Sequence, residues 1–243
     1  MGVPVPRARL IVASCPEAGT RLVLRRKESA HARARRLEPG DPVTLVDGSG
    51  TEAHGRLLRL TGAGAEIFVE EISRAAEAAV DITLLVAALR LERLSWVAEK
   101  AAELAVRDVV VVAAERAQSF RAHASVVARL RRVVQEAAKQ SESARWPEIH
   151  GPISLAEAWE VPAAHRLFLD VPGEPYPSLL APGSTRILVG PEGGWTEAER
   201  AAARERGWRT TQLPAGKLRA ETAAIAAVVL ARAALAREAN SSD

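Results

Sequence analysis

The chain has 243 residues, a formal net charge of +3 and an apolar fraction of 48%. That length admits one large domain or two modest ones with a real core, and a single cysteine, Cys15, excludes an intramolecular disulfide and any multi-cysteine metal site. The longest apolar run, Ala223 to Ala231, falls far short of the ~20 residues of a spanning helix, and Met1 to Arg7 has no charged segment leading into an apolar one, so the sequence reads as a soluble, unexported, cytoplasmic protein.

Residues 1 to about 72 alternate short strands with turn residues: Arg9 to Ala13, Thr20 to Leu24, Pro42 to Val46, Gly55 to Leu60 and Ala65 to Glu70. Strands at this spacing predict a small β-barrel, with Asp47-Gly-Ser-Gly50 as a hairpin turn. Within it Arg21, Arg25, Arg26, Lys27, Arg33, Arg35 and Arg36 face a single acid, Glu28. A phosphate-binding patch for RNA accounts for this cluster; a solvated charged helix or loop accounts for it equally.

Ser73 to Val80 reads as a connection into a second domain. From there apolar runs alternate with amphipathic segments: Thr83 to Ala88 strand, Leu91 to Leu104 helix, Asp108 to Ala113 strand, Ser125 to Gln140 helix, His165 to Asp170 strand, Thr196 to Arg206 helix and Ala220 to Arg237 helix. That order predicts an α/β domain with a mainly parallel sheet. The histidines, His31, His54, His123, His150 and His165, are scattered without ligand spacing, so no metal site is expected.

Rival motifs fail on context. Gly48-Ser-Gly-Thr-Glu-Ala53 satisfies a dinucleotide fingerprint, but the residues after it read as a strand, not a helix. Around Gly216-Lys217, Thr211 occupies the place of the first P-loop glycine and Leu218 that of the magnesium-holding hydroxyl. No G-x-S-x-G elbow is present. Among the tryptophans, Trp195 is the one expected in a functional position.

Two loops remain, each following an apolar strand and opening a helix. In Ile187-Leu-Val-Gly-Pro-Glu-Gly-Gly-Trp-Thr196, Gly190, Gly193 and Gly194 surround Pro191 and Glu192, a composition that lets a flat ligand lie on the backbone. Thr196 with Glu199 spells a capping box for the helix that follows. The second loop passes through Pro214, Ala215 and Gly216 and delivers Arg219 and Glu221 of Leu218-Arg-Ala-Glu-Thr-Ala223 to a helix mouth.

These loops resemble the G-P-E-G-G-[FW] and L-R-x-E-T-A loops of the bacterial 16S ribosomal RNA uridine N3-methyltransferases of the SPOUT superfamily, small-subunit methyltransferase E. Leu89 to Val106 is similar to the family helix ending in K-x-x-E-L-G-V, Ala114 to Ser119 to its E-R-S strand end, and Glu136-Ala-Ala-Lys-Gln140 with Arg145 and Pro147 to its E-A-x-x-Q…R…P segment. Arg90 stands where the family usually has lysine, Ala105 where it has glycine, and Leu213-Pro-Ala-Gly-Lys217 where it tends to read L-G-x-R-[IV].

The resemblance implies a PUA-like RNA-binding barrel over residues 1–72 and a SPOUT domain with a trefoil knot over 73–243, with S-adenosylmethionine as cofactor and 16S rRNA or the small ribosomal subunit as substrate. Leu169, Val189, Gly190, Pro191, Glu192, Gly193, Gly194, Leu213, Gly216, Leu218 and Ala220 would hold the cofactor. Arg219 would stabilise a uridine anion, with Arg145 as a second gripping cation; Glu221 and Glu192 would orient an arginine or accept a proton, and for Glu221 simple stabilisation of a helix N-terminus is the alternative. Arg25, Arg26, Lys27, Arg33, Arg35 and Arg36 would hold RNA, and the alanine-rich face of residues 220–236 would form a homodimer. A catalytically silent RNA-binding module of the same fold is the alternative.

Overall fold

The computed structural model of the chain describes residues 6–25, 27–74, 80–117 and 124–241. It divides into two compact units, Met1–Ala78 with Ala138–Trp146, and Ala79–Ala137 with Pro147–Asp243.

The first unit is a curled, mixed five-stranded sheet. Its strands are β1 (Ala8–Ile11), β2 (Arg21–Leu24), β3 (Pro42–Val46), β4 (Thr51–Leu60) and β5 (Ala65–Arg74), ordered β1-β3-β4-β5-β2. The β1–β3 pair is parallel and the rest antiparallel. Alternation along the strands sends Leu10, Val43, Leu45, Leu57, Ile67 and Val69 into one core. Asp47 closes the β3–β4 hairpin by accepting from the Ser49 amide at 2.9 Å, and the strand that follows removes any dinucleotide-binding reading of Gly48–Ala53.

The basic cluster starts on β2 with Arg21 and continues into a helix, α1 (Lys27–Ala34), which adds Ala32 to the sheet's core. Its single acid is not spent on the arginines: Glu28 accepts from Lys139 Nζ at 3.0 and 3.2 Å and from the Ile11 amide at 3.0 Å. Arg36 ends the helix at φ 53°, a conformation that favours glycine, with the Leu37 amide bonded back to Ala32.

The second unit carries six parallel strands: β6 (Val80–Ala87), β7 (Val106–Ala113), β8 (Glu148–Ser154), β9 (His165–Pro175), β10 (Thr185–Val189) and β11 (Arg209–Gln212). Their order is β11-β9-β10-β6-β7-β8. The helices are α2 (Leu91–Glu103), α3 (Ala124–Gln140), α4 (Leu155–Trp159), α5 (Glu197–Glu205) and α6 (Ala220–Ser241). Leu85, Val110, Val112, Phe168 and Leu188 share one core with Trp159 of α4, Ala203 of α5 and Trp208. Their sequence neighbours Leu84, Val86, Val109, Val111 and Ile187 are buried too, as alternation demands of a sheet covered on both faces; α2 packs on β7, and α6 on β6, β10 and α2.

No apolar run of the kind that marks β6, β7 and β10 announces β8. Gly151 and Pro152 sit in a register shift between Val110 and Val112 of β7, where a bulge accommodates residues that would break a regular strand. A second shift has more consequence. On β9, partners of β11 jump from Phe168 to Glu174, so the intervening Leu169, Asp170 and Val171 have no partner on β11 and line a cavity on that side.

Candidate functional site

At the carboxyl ends of β9, β10 and β11 lies a cavity of about 740 Å³, within the range of small-molecule sites. This is where a parallel sheet offers a crevice, beside the point at which strand order reverses. All of the cofactor-binding candidates except Gly193 line it, together with Arg93, Asp170, Trp195, Gln212, Lys217 and Arg219.

The first loop is braced on every side. Trp195 is 1% exposed, its ring stands 4.8 Å from that of Phe168, and its Nε1 donates to the Leu169 carbonyl at 2.9 Å. It is thus a core residue that also lines the cavity. Gly190 is required by the indole: a Cβ there would come within 2.7 Å of Trp195 Cε2. Gly194 adopts φ +68° with no atom within 4 Å of a Cβ, so its constraint is backbone conformation beside open space. Arg116 donates to the carbonyls of Gly193 at 3.4 Å and Trp195 at 3.3 Å.

The expected capping box is present. Thr196 accepts from the Glu199 amide at 3.2 Å, and Glu199 accepts from the Thr196 amide at 2.8 Å. Glu199 also accepts from the Glu115 amide at 3.0 Å, which fixes the end of β7 to the start of α5.

The second loop is held more lightly. Pro214, Ala215, Gly216 and Lys217 are all exposed, and the Ala215 amide bonds to the Leu213 carbonyl at 2.8 Å. Arg219 is exposed on the cavity wall and has no ionic partner among the described residues. Glu221 is withdrawn, with Oε1 3.6 Å from Arg93 Nε and Oε2 buried without a hydrogen-bond partner.

Several contributors carried no signal in the sequence. Arg93 pairs with Glu192 as well as Glu221. Arg200 donates to Asp170 at 2.6 Å, a contact that raises the guanidinium's pKa and holds the Asp170 carboxylate at the cavity. Tyr176 donates its hydroxyl to the Ala227 carbonyl at 2.8 Å and its amide to the Gln212 carbonyl at 3.0 Å, and burial pushes its phenol pKa upward, so it remains a donor.

Arg145 is not at this cavity. It belongs to the first unit, where its guanidinium lies against Gly50 and its Nε is buried without a partner. Of the RNA-binding candidates, Arg25, Arg33, Arg35 and Arg36 are exposed, and Arg33 donates to the Thr61 carbonyl at 2.8 Å. Arg26 and the Lys27 side chain lie outside the described residues. His150, read as isolated, adjoins Asp108 at 3.1 Å and Glu148 at 3.6 Å, because neighbouring strands and i, i+2 spacing put all three on one face.

Fold and site thus define an α/β protein with a ligand cavity at the carboxyl ends of parallel strands, and a family model described as RNA methyltransferase domain matches residues 76–232. Ribosomal RNA small subunit methyltransferase E of Aquifex aeolicus is 30% identical over 219 residues, covering 86% of this chain and 93% of that protein; its counterpart in Synechocystis is 27% identical over 212 residues, 84% and 69% of the two. The chain belongs to the family of ribosomal RNA small subunit methyltransferase E. Among solved structures, that enzyme from Neisseria gonorrhoeae, bound to S-adenosyl methionine, has a TM-score of 0.85 and 26% identity over 94% of this chain and 98% of its own. A methyltransferase from Legionella pneumophila with bound cofactor SAM has a TM-score of 0.83 and 25% identity over the same shares.

Proposed function

We propose that the protein transfers a methyl group from S-adenosylmethionine to N3 of a uridine in the 16S rRNA of the small ribosomal subunit. The observation that carries this reading is the cavity built from both family loops, in a chain similar over 94% of its length to a relative solved with S-adenosyl methionine.

The residues present fit such a ligand. Gly194 and Gly216 leave open space where a side chain would stand, Thr211 Oγ1 is buried without a partner in the lining, and Leu169, Val189, Leu213 and Leu218 supply apolar walls. Backbone groups of Gly190 to Gly194 and of Leu213 to Ala220 would hold the cofactor, whose part is an electrophilic methyl group.

Uridine N3 accepts a methyl group as its imide anion, so the chain's contribution is orientation and a cation beside that anion. Arg219 is free to serve as that cation. Because N3 lies on the Watson–Crick edge, the target base must be unpaired, and the exposed arginines of the first unit, Arg25, Arg33, Arg35 and Arg36, supply phosphate contacts for the surrounding RNA.

Two further parts of the reading concern assembly and place. Val171, Leu179 and Val229 of the second unit are exposed apolar residues, which supports a homodimer. No helix among the described residues is long and apolar enough to cross a membrane, consistent with work in the cytoplasm.

The test is methylation of small subunits, and separately of free 16S rRNA, isolated from cells lacking this activity, followed by nucleoside mass spectrometry. The proposal expects 3-methyluridine with one of the two substrates. A different methylated nucleoside, or none with either, overturns it.

A further inference from the structure

Arg93 belongs to neither loop yet reaches the first loop and the helix that follows the second. It lies in the first turn of α2, beyond the carboxyl end of β6, and its guanidinium pairs with Glu192 of the glycine loop while its Nε lies 3.6 Å from Glu221 Oε1 in the first turn of α6. The three side chains are 29%, 37% and 13% exposed, so water screens these pairs less than it screens surface pairs. Glu221 Oε2 is buried without a hydrogen-bond partner, which leaves Arg93 as the counter-charge of that carboxylate among the described residues. A planar guanidinium can hold two carboxylates at a fixed separation, where an ammonium offers a single point of charge.

We infer that Arg93 is a positioning residue that ties the glycine loop to the start of α6 and so holds the two walls of the cavity at the separation the cofactor requires. The inference rests on the proposed reading of the cavity as the S-adenosylmethionine site. It also accounts for the state of Arg219: with Glu192 and Glu221 both drawn to Arg93, the Arg219 charge stays available for the substrate anion. Loss of the tie lets the walls part, so it acts on cofactor binding ahead of the chemical step.

The experiment uses the full chain as wild type, Arg93→Ala, Arg93→Lys, Glu192→Gln and the Arg93→Ala/Glu192→Gln double variant. Each is titrated with S-adenosylmethionine by calorimetry, assayed for single-turnover methylation at saturating cofactor, and melted to establish folding. Arg93→Ala is expected to weaken binding about tenfold or more, since small misplacements of a site wall cost on this order, while the saturated rate stays within about threefold. Arg93→Lys recovers part of the affinity, one pair instead of two. Glu192→Gln weakens binding in the wild-type background but adds nothing in the Arg93→Ala background, because its partner is already gone.

Affinity of Arg93→Ala within about twofold of wild type overturns the inference, as does a Glu192→Gln loss that is undiminished on top of Arg93→Ala. If Arg93→Ala does not fold, the cycle is run on Arg93→Lys: a Glu192→Gln loss that is smaller on Arg93→Lys than on wild type supports the tie, and an undiminished loss overturns it. A wild-type protein that binds no S-adenosylmethionine overturns the reading of the cavity instead.

Discussion

The two loops that meet at the cavity have similar jobs and opposite construction. The first, Gly190 to Trp195, is fastened by the Trp195 indole, by Arg116, by the Thr196–Glu199 box and by Arg93. The second, Leu213 to Arg219, runs through four consecutive exposed residues with little to restrain it. The contrast goes with two proposed roles: one loop is part of the core and sets the cavity's shape, while the other is a surface segment whose residues, Arg219 above all, are proposed to act on what enters. Stability and function should therefore come apart when the loops are altered in turn.

The largest effect is expected from Trp195→Ala, which removes a ring 1% exposed and its bond to Leu169. Truncation of such a ring costs ~3–5 kcal/mol, to be read from chemical denaturation. A loss under about 1 kcal/mol would mean the first loop is no more anchored than the second.

Next in size is Arg219→Ala, which should lower single-turnover methylation by ~10² with cofactor affinity within a few-fold of wild type, as when a preorganised transition-state partner is removed. Its folding stability should move by no more than ~0.5 kcal/mol, being an exposed side chain without an ionic partner among the described residues. If affinity falls in step with rate, Arg219 is a binding residue and the second loop serves the cofactor rather than the chemistry.

A smaller effect of opposite sign is expected at the end of α2. Ala105 adopts φ 49°, a conformation that costs a side-chain-bearing residue roughly 1–2 kcal/mol, and the family usually has glycine there. Ala105→Gly should stabilise the protein by about 1 kcal/mol, part of the relief being offset by unfolded-chain entropy; a destabilised variant would show the strain to be absent. Smallest of all is the stability change for Gly216→Ala, within ~0.5 kcal/mol, because no atom lies within 4 Å of the added methyl. The same methyl enters the cavity lining, so cofactor affinity should fall, and calorimetry beside a melting curve separates the two.

Much of this was legible in the sequence because its causes are local. The Thr196–Glu199 box, the Asp47–Gly50 turn and the parallel strands announced by apolar runs each depend on residues within a few positions of one another. What escaped depends on distant partners. Nothing near Arg93 points to Glu192 or Glu221, and nothing near Gly190 says that the indole of Trp195 fills its side-chain space. Arg145 reads as a site residue in sequence, yet it is gathered into the first unit with Ala138–Trp146. The basic helix α1 is indistinguishable from a loop in sequence because a segment polar all round has no apolar stripe to betray its period.

Assignment of the cavity at the ends of β9, β10 and β11 as the cofactor site is tested by calorimetric titration of the wild-type chain with S-adenosylmethionine. Saturable binding with one site per chain is expected, lost or weakened in Gly216→Ala while the fold is kept. Absence of saturable heat from a folded protein at cofactor concentrations up to ~1 mM, the upper end of ordinary substrate affinities, would contradict it.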